Sequence, residues 1–193
     1  MNLRMRVAAV LVGAVLVLAS CTGKSAVDQS AGGQFRFVGA TSKGSLIVAA
    51  DRKKAGSVSG SLLDGGTFRL SQTTGKVVVL NFWATWCAPC VVETPQFDSV
   101  YRAYKGKGVT FVGIDTKEAS RDSPKAFVKN NDISFPIVFD EQGEVATALG
   151  KIAAPGLPFS VLLDRLGRVA AVYLGTVSAR DLEPVLNKLV AES

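Results

Sequence analysis

An apolar run in this chain ends directly at a pair of cysteines, in the segment KVVVLNFWATWCAPC. Its first part, Lys76 to Ala84, is continuous, apolar and rich in β-branched residues, a pattern typical of strands buried on both faces of a sheet. Strand-like and helix-like segments then alternate to the C-terminus. The run therefore predicts the central strand of a mixed sheet in an α/β sandwich.

The length and composition of the chain are sufficient for one folded domain. Its 193 residues are 48% hydrophobic, which is enough apolar side chain for a single well-packed core. Ahead of the central strand, Gly60 to Leu70 (GSLLDGGTFRL) predicts a short hairpin with a glycine-rich turn.

The N-terminus has the plan of a secretory signal. Arg4 and Arg6 precede an apolar run from Val7 to Ala19, which is shorter than the ~20 residues of a membrane span. The run ends in LASC, which resembles the lipobox of bacterial lipoproteins; that resemblance implies cleavage after residue 20 and diacylation of Cys21. An uncleaved anchor and an ordinary secreted protein are the alternatives. All three interpretations place the body of the protein outside the cytoplasm.

Composition and charge then divide the rest of the chain. Residues 21–57 begin at the cysteine that the lipobox resemblance implies is lipidated. They are rich in Gly, Ser, Ala and Lys, which predicts a flexible tether with at most a short edge strand. Of the net charge of +6, these residues carry +4, whereas residues 58–193, the predicted domain, carry none. The basic tether suits either anionic lipid headgroups or plain solvation. A neutral domain gives no indication of nucleic-acid binding.

The two remaining cysteines are candidates for a redox pair. With Cys21 assigned to a lipid, Cys87 and Cys90 are left in a compartment where disulfides persist. They follow the buried strand at the start of a predicted helix, where free N–H groups and the helix dipole favour a thiolate. Their spacing brings Cys90 within reach of a mixed disulfide formed at Cys87. Cys87 is therefore predicted to attack and Cys90 to resolve.

Other roles for the pair fit the sequence less well. A zinc site needs two more ligands, but the chain has no histidine and no second cysteine pair, and a copper relay lacks the same histidine. An inert disulfide usually closes a longer loop. Trp86, beside the pair, indicates a surface that meets a partner, whereas Trp83 is predicted to lie in the core. No metal or cofactor is expected.

A longer segment carries a family resemblance. VVVLNFWATWCAPCVVETPQFDSVY, Val77 to Tyr101, resembles the active-site segment of membrane-tethered thioredoxin-like thiol-disulfide oxidoreductases of the TlpA, ResA and DsbE kind. The similarity extends over residues 58–193. It implies a thioredoxin fold, a three-layer α/β/α sandwich with a central mixed sheet, here preceded by the N-terminal hairpin.

The resemblance also implies roles for individual residues. GLPFSVLLDRLGRV, Gly156 to Val169, resembles the stretch with a cis-proline that faces the disulfide. Pro158 takes that place, and the backbone of Leu157 before it is expected to pair with a substrate strand, with Trp86 shaping the same surface. Pro155 is the alternative proline and is expected to be trans.

A buried proton acceptor is expected below the cysteines. Cytoplasmic thioredoxins usually carry an aspartate where this chain has Asn81, which cannot shuttle a proton. Glu93, one helical turn after Cys90, matches the active-site glutamate of the ResA-like branch, and burial is expected to raise its pKa so that it takes the Cys90 proton. Alternatively, Glu93 only complements the helix dipole.

Together these features predict a thiol-disulfide oxidoreductase that is lipid-anchored on the extracytoplasmic face of the cell membrane. Its partners are predicted to be extracytoplasmic protein thiols or disulfides and a membrane redox protein of the CcdA/DsbD-like or quinone-linked kind. The TlpA and ResA resemblance suggests reduction of apocytochrome c, whereas some DsbE-like relatives are oxidants. A thioredoxin-fold peroxidase is disfavoured because FWATWC lacks a proline. A polypeptide-binding lipoprotein without catalysis remains the other alternative.

Overall fold

The computed structural model describes residues 39–150, 152, 154 and 156–192. The predictions for the signal peptide and for Cys21 lie outside these residues. The strands are β1 (Ser59–Leu62), β2 (Thr67–Arg69), β3 (Val77–Trp83), β4 (Val109–Thr116), β5 (Ile137–Asp140), β6 (Phe159–Leu163) and β7 (Val169–Leu174). The α-helices are α1 (Ala88–Tyr104), α2 (Asp122–Asn130), α3 (Glu144–Ala148) and α4 (Ala179–Ala191). None of the described helices is long and apolar enough to cross a membrane.

The strands form one mixed sheet in the order β2-β1-β5-β4-β3-β6-β7. β3 and β5 run parallel to β4, whereas β6 and β7 and the β1–β2 hairpin are joined by antiparallel pairing. Every residue of β3 is buried, as its apolar run predicted. The central strand, the mixed sheet and the N-terminal hairpin are thereby confirmed.

Successive residues of the central strands pack alternately into two hydrophobic cores, one on each face of the sheet. Val79 and Phe111 face the layer that contains Phe97 of α1 and Leu186 of α4. Their neighbours Leu80 and Val112 face the opposite layer, which contains Val145 of α3. The sheet is therefore covered on both sides, and side chains at the end of β3 that share the face of Val79 point toward α1.

The folded body begins earlier than residue 58, the expected start of the domain. The backbone N–H groups of Thr41 and Ile47 donate to the carbonyl oxygens of Val172 and Ala170, each at 2.8 Å, so this segment lines β7. Buried Arg52 forms ion pairs with Asp164 and Glu192. β7 is the last strand of the sheet, and its free backbone groups need partners that composition does not reveal.

Candidate active site

The two cysteines lie between β3 and α1 and are joined by a disulfide. Cys87 is the N-cap residue of α1, and its carbonyl oxygen accepts from the N–H groups of Cys90 at 2.9 Å and Val91 at 3.2 Å. The first helical turn therefore holds Cys90 behind Cys87, with a Cα–Cα distance of 5.2 Å. Within the described part of the chain, no group of three or more Cys, Asp or Glu side chains is arranged to hold a metal ion.

The two sulfur-bearing residues differ in access to solvent. Cys87 is 6% exposed and Cys90 is 0% exposed, while the neighbouring Trp86 is 59% exposed. Trp83 is completely buried, as predicted for a core residue. An incoming thiolate therefore reaches Cys87 before Cys90, which is the asymmetry that a nucleophile and a resolving thiol require.

Glu93 lies fully buried between α1 and the sheet. Its Oε2 accepts a hydrogen bond from Nδ2 of Asn81 at 2.9 Å, and its Oε1 accepts from the backbone N–H of Val177 at 2.5 Å. Burial raises the pKa of Glu93, against these two donors and the positive charge of Lys43, which lower it. The site thus holds a carboxyl group whose proton affinity is greater than that of an exposed glutamate.

The Leu157–Pro158 peptide bond is cis, as the resemblance implied. Pro158 directly precedes β6, whose first residue Phe159 is paired with Phe82 near the end of β3, so the proline lies at the same edge of the sheet as the cysteine turn. Leu157 and Trp86 line one groove of about 200 Å³ at this edge. Pro155, the alternative proline, lies outside the described residues.

A carboxylate that the sequence did not single out fixes the turn before Cys87. Oε1 of Glu118 accepts from the backbone N–H of Thr85 at 2.6 Å and also from its hydroxyl group. The neighbouring carbonyl of Lys117 accepts from Nε1 of Trp86 at 3.2 Å. The only signal in the sequence was position, since polar residues that follow parallel strands meet at one edge of the sheet.

A second unforeseen carboxyl group is Asp115, which is paired in register with Trp83. Asp115 is 0% exposed, and neither of its carboxyl oxygens has a hydrogen-bond partner. Burial, reinforced by the charges of Glu118 and Asp140 and opposed by Arg121, raises the pKa of Asp115 to about 8. At neutral pH, Asp115 is therefore predominantly an uncharged acid behind the active-site turn.

The sequence of this chain matches the model of a known protein family. The model of the Redoxin family matches residues 43–189. The chain belongs to the Redoxin family. The family match begins at residue 43, before the expected start of the domain at residue 58. This agrees with the hydrogen bonds by which the segment around Thr41 and Ile47 lines β7.

Relatives that are named for thiol-disulfide exchange match this chain, in agreement with the cysteine pair at its site. The thiol-disulfide oxidoreductase ResA of Bacillus thuringiensis subsp. konkukian is 39% identical over 127 residues, which cover 66% of this chain and 71% of that protein. ResA of Geobacillus thermodenitrificans is 35% identical over the same shares. This Redoxin is therefore a thiol-disulfide oxidoreductase, as the sequence predicted.

Solved structures confirm the fold of this Redoxin. A DsbF homologue from Corynebacterium diphtheriae has a TM-score of 0.74 at 33% identity and covers 81% of this chain and 100% of its own. A secreted thiol-disulfide isomerase from Corynebacterium glutamicum has a TM-score of 0.75 at 31% identity. The match covers 82% of this chain and 98% of that protein's chain. The predicted thioredoxin-like α/β fold is therefore confirmed.

Proposed function

We propose that this enzyme reduces disulfides in extracytoplasmic proteins, with Cys87 as nucleophile and Cys90 as resolving thiol. The observation that carries this proposal is the reachable Cys87 in front of an inaccessible Cys90, with the buried carboxyl group of Glu93 one turn behind. The carboxyl groups of Glu93 and Glu118 near the pair favour the reducing direction. A negative charge beside a cysteine makes its thiolate less stable, and the reduced form of the pair is then less stable as well. A less stable reduced form gives up its electrons more readily, which makes the pair a stronger reductant.

The exchange proceeds in two steps. The Cys87 thiolate attacks a substrate disulfide, forms a mixed disulfide and releases one substrate thiolate. Cys90 then gives its proton to Glu93 and attacks the Cys87 sulfur, which releases the second substrate thiolate and leaves the Cys87–Cys90 disulfide. That thiolate takes up a proton, and two electrons have passed to the substrate. A membrane electron donor of the CcdA/DsbD-like kind reduces this disulfide and restores the dithiol, whereas a quinone-linked partner would oxidise it and belongs to the opposite direction.

The groove beside Cys87 supports a role in holding the polypeptide substrate. Exposed Trp86 and half-buried Leu157 border it. The rings of Phe82 and Phe159, stacked at 4.1 Å between centroids, also line it. The backbone of Leu157, ahead of cis-Pro158, offers an edge for an extended substrate segment. The substrate cysteine is thus expected to have apolar neighbours.

The lipid anchor at Cys21 and a place on the extracytoplasmic face of the membrane belong to the same proposal. The lipobox-like LASC sequence supports the anchor. The secreted Corynebacterium glutamicum neighbour supports only a location outside the cytoplasm. Apocytochrome c is the substrate suggested by the ResA resemblance. Mass spectrometry of the mature protein tests the anchor, because a diacylated N-terminal Cys21 is expected and an unmodified one contradicts it.

The reduction potential of the Cys87–Cys90 couple tests the proposed direction. The full-length protein is equilibrated against glutathione and dithiothreitol buffers, and the fraction of disulfide is read by thiol alkylation. A potential near that of thioredoxin, about −270 mV, is expected for a reductant. One near that of DsbA, about −120 mV, indicates an oxidant instead. A couple that resists reduction in all buffers overturns the catalytic role and leaves polypeptide binding.

Replacement of Glu93 by glutamine tests its role as proton acceptor. Glu93→Gln retains the shape of the side chain but cannot take the Cys90 proton, so we expect resolution of the mixed disulfide to slow about 100-fold or more at neutral pH. Stopped-flow measurement of the resolving step across pH checks this. An unchanged rate and pH profile indicates that Glu93 only complements the helix dipole.

A further inference from the structure

Asn81 lies at the centre of the hydrogen-bond network below the cysteines. It is 1% exposed, and its Nδ2 donates to Oε2 of Glu93 at 2.9 Å and to Oγ of Ser160 at 3.3 Å. Its Oδ1 is buried and has no hydrogen-bond partner. An unpaired buried acceptor destabilises the fold, so its presence beside a titratable group needs a physical reason.

The orientation of the amide suits the ionised form of Glu93. Both carboxylate oxygens then accept, Oε1 from the backbone N–H of Val177 and Oε2 from Nδ2 of Asn81. When Glu93 takes up a proton, Oε1 remains occupied because the backbone N–H has a fixed direction. The proton therefore resides on Oε2, where it directly opposes the Asn81 amide protons.

A half-turn of the Asn81 amide removes this conflict. Oδ1 then accepts from the Oε2 proton of Glu93 and from the hydroxyl of Ser160, which changes from acceptor to donor. Nδ2 then occupies the position that Oδ1 held before, where it too has no hydrogen-bond partner. Since each orientation leaves one amide atom unpaired, the number of hydrogen bonds favours neither, and the proton on Glu93 decides between them.

We propose that Asn81 is a positioning residue whose side-chain amide turns over as Glu93 gains or loses its proton, so that both states of Glu93 are hydrogen-bonded. This inference rests on the proposed role of Glu93 in exchange. Lys43 is the charged side chain that acts on Glu93 and favours its ionised form, whereas burial favours the protonated form. Asn81 and Ser160 are neutral, so they respond to the proton without competing for it.

Nuclear magnetic resonance of the full-length oxidised protein tests the turning amide. The Asn81 side-chain N–H signals are assigned by their loss in Asn81→Ser, and the Glu93 carboxyl carbon is followed from about pH 4 to about pH 9. We expect the Asn81 N–H protons to move upfield as Glu93 is protonated, with the same midpoint, because they lose both acceptors. Asn81 signals that stay fixed through the Glu93 midpoint overturn the proposal.

Glu93→Gln provides an independent check because it mimics the protonated carboxyl group. Its side-chain oxygen accepts from Val177, so its NH₂ group faces Asn81 and requires Oδ1. The Asn81 signals are expected to keep their low-pH positions at every pH, and retention of the ionised-state positions contradicts the inference. Ser160→Ala is the matched control, since it removes one partner from both orientations and is expected to leave the midpoint unchanged.

The titration separates this inference from the proposed function because no substrate is present. An amide that turns in a protein without exchange activity contradicts the proposed function alone. An amide that stays fixed in an active enzyme contradicts the inference alone.

Discussion

Replacing Cys90 by serine is expected to trap covalent complexes between this protein and its substrates, whereas replacing Cys87 by serine is expected to abolish exchange. Cys87 is the sulfur that a partner can reach, and buried Cys90 is the group that releases the mixed disulfide. A hydroxyl group is not ionised near neutral pH and cannot form a disulfide, so each variant is expected to lose essentially all turnover. Non-reducing electrophoresis detects the trapped complexes.

The double variant Cys87→Ser with Cys90→Ser is the control for non-specific capture. It retains Trp86, the cis-proline and the groove, and so it is expected to bind without forming covalent complexes. A Cys87→Ser protein that traps more substrate than Cys90→Ser reverses the two assigned roles. Equal cellular function of the double variant and the native protein supports a purely binding lipoprotein.

Asp115 is expected to make the protein less stable as the pH rises from about 4 to about 8. The folded state raises the pKa of this buried acid from 3.8 to about 8, so between these values the folded chain retains a proton that the unfolded chain has released. Stability therefore falls with rising pH by up to about 1.4 kcal/mol per pH unit. The raised pKa of Glu93 acts in the same direction.

Asp115→Asn is expected to flatten this dependence, because asparagine has a similar shape and no proton to lose. Denaturant unfolding near pH 8 should show a higher midpoint for the variant than for the native protein, while near pH 4 the two should differ little. Asp122→Asn, at an exposed residue at the start of α2, is the matched control. A variant that retains the slope of the native protein contradicts an uncharged Asp115.

Two other carboxylates, those of Asp98 and Asp164, have the opposite effect and make the protein less stable at low pH. The pKa of Asp98 is held low, although burial opposes it, by hydrogen bonds from Ser134 and Arg102. That of Asp164 is held low by Arg168 and Arg52, again against burial. Each of these groups contributes stability above its ordinary pKa and loses it as the pH falls through its folded value. Stability is thus expected to have a maximum on the acid side of neutrality.

Features that depend on residues close together in the chain could be predicted before the fold was known. The continuous apolar run from Lys76 to Ala84 predicted the buried β3, and the spacing of Cys87 and Cys90 predicted a pair at the start of a helix. The resemblance around Pro158 predicted its cis peptide bond. These features follow from periodicity, helix geometry and the special backbone of proline, all of which act over a few residues.

The surroundings of the disulfide could be known only from the folded structure. Val177 joins Glu93 across 84 residues, Ser160 joins Asn81 across 79, and Glu118 joins Thr85 across 33. Neither spacing nor composition encodes such contacts, because they depend on which strands become neighbours in the sheet. The burial of Asp115 was equally hidden, since aspartate is usually exposed and only the finished packing around β4 excludes water from it.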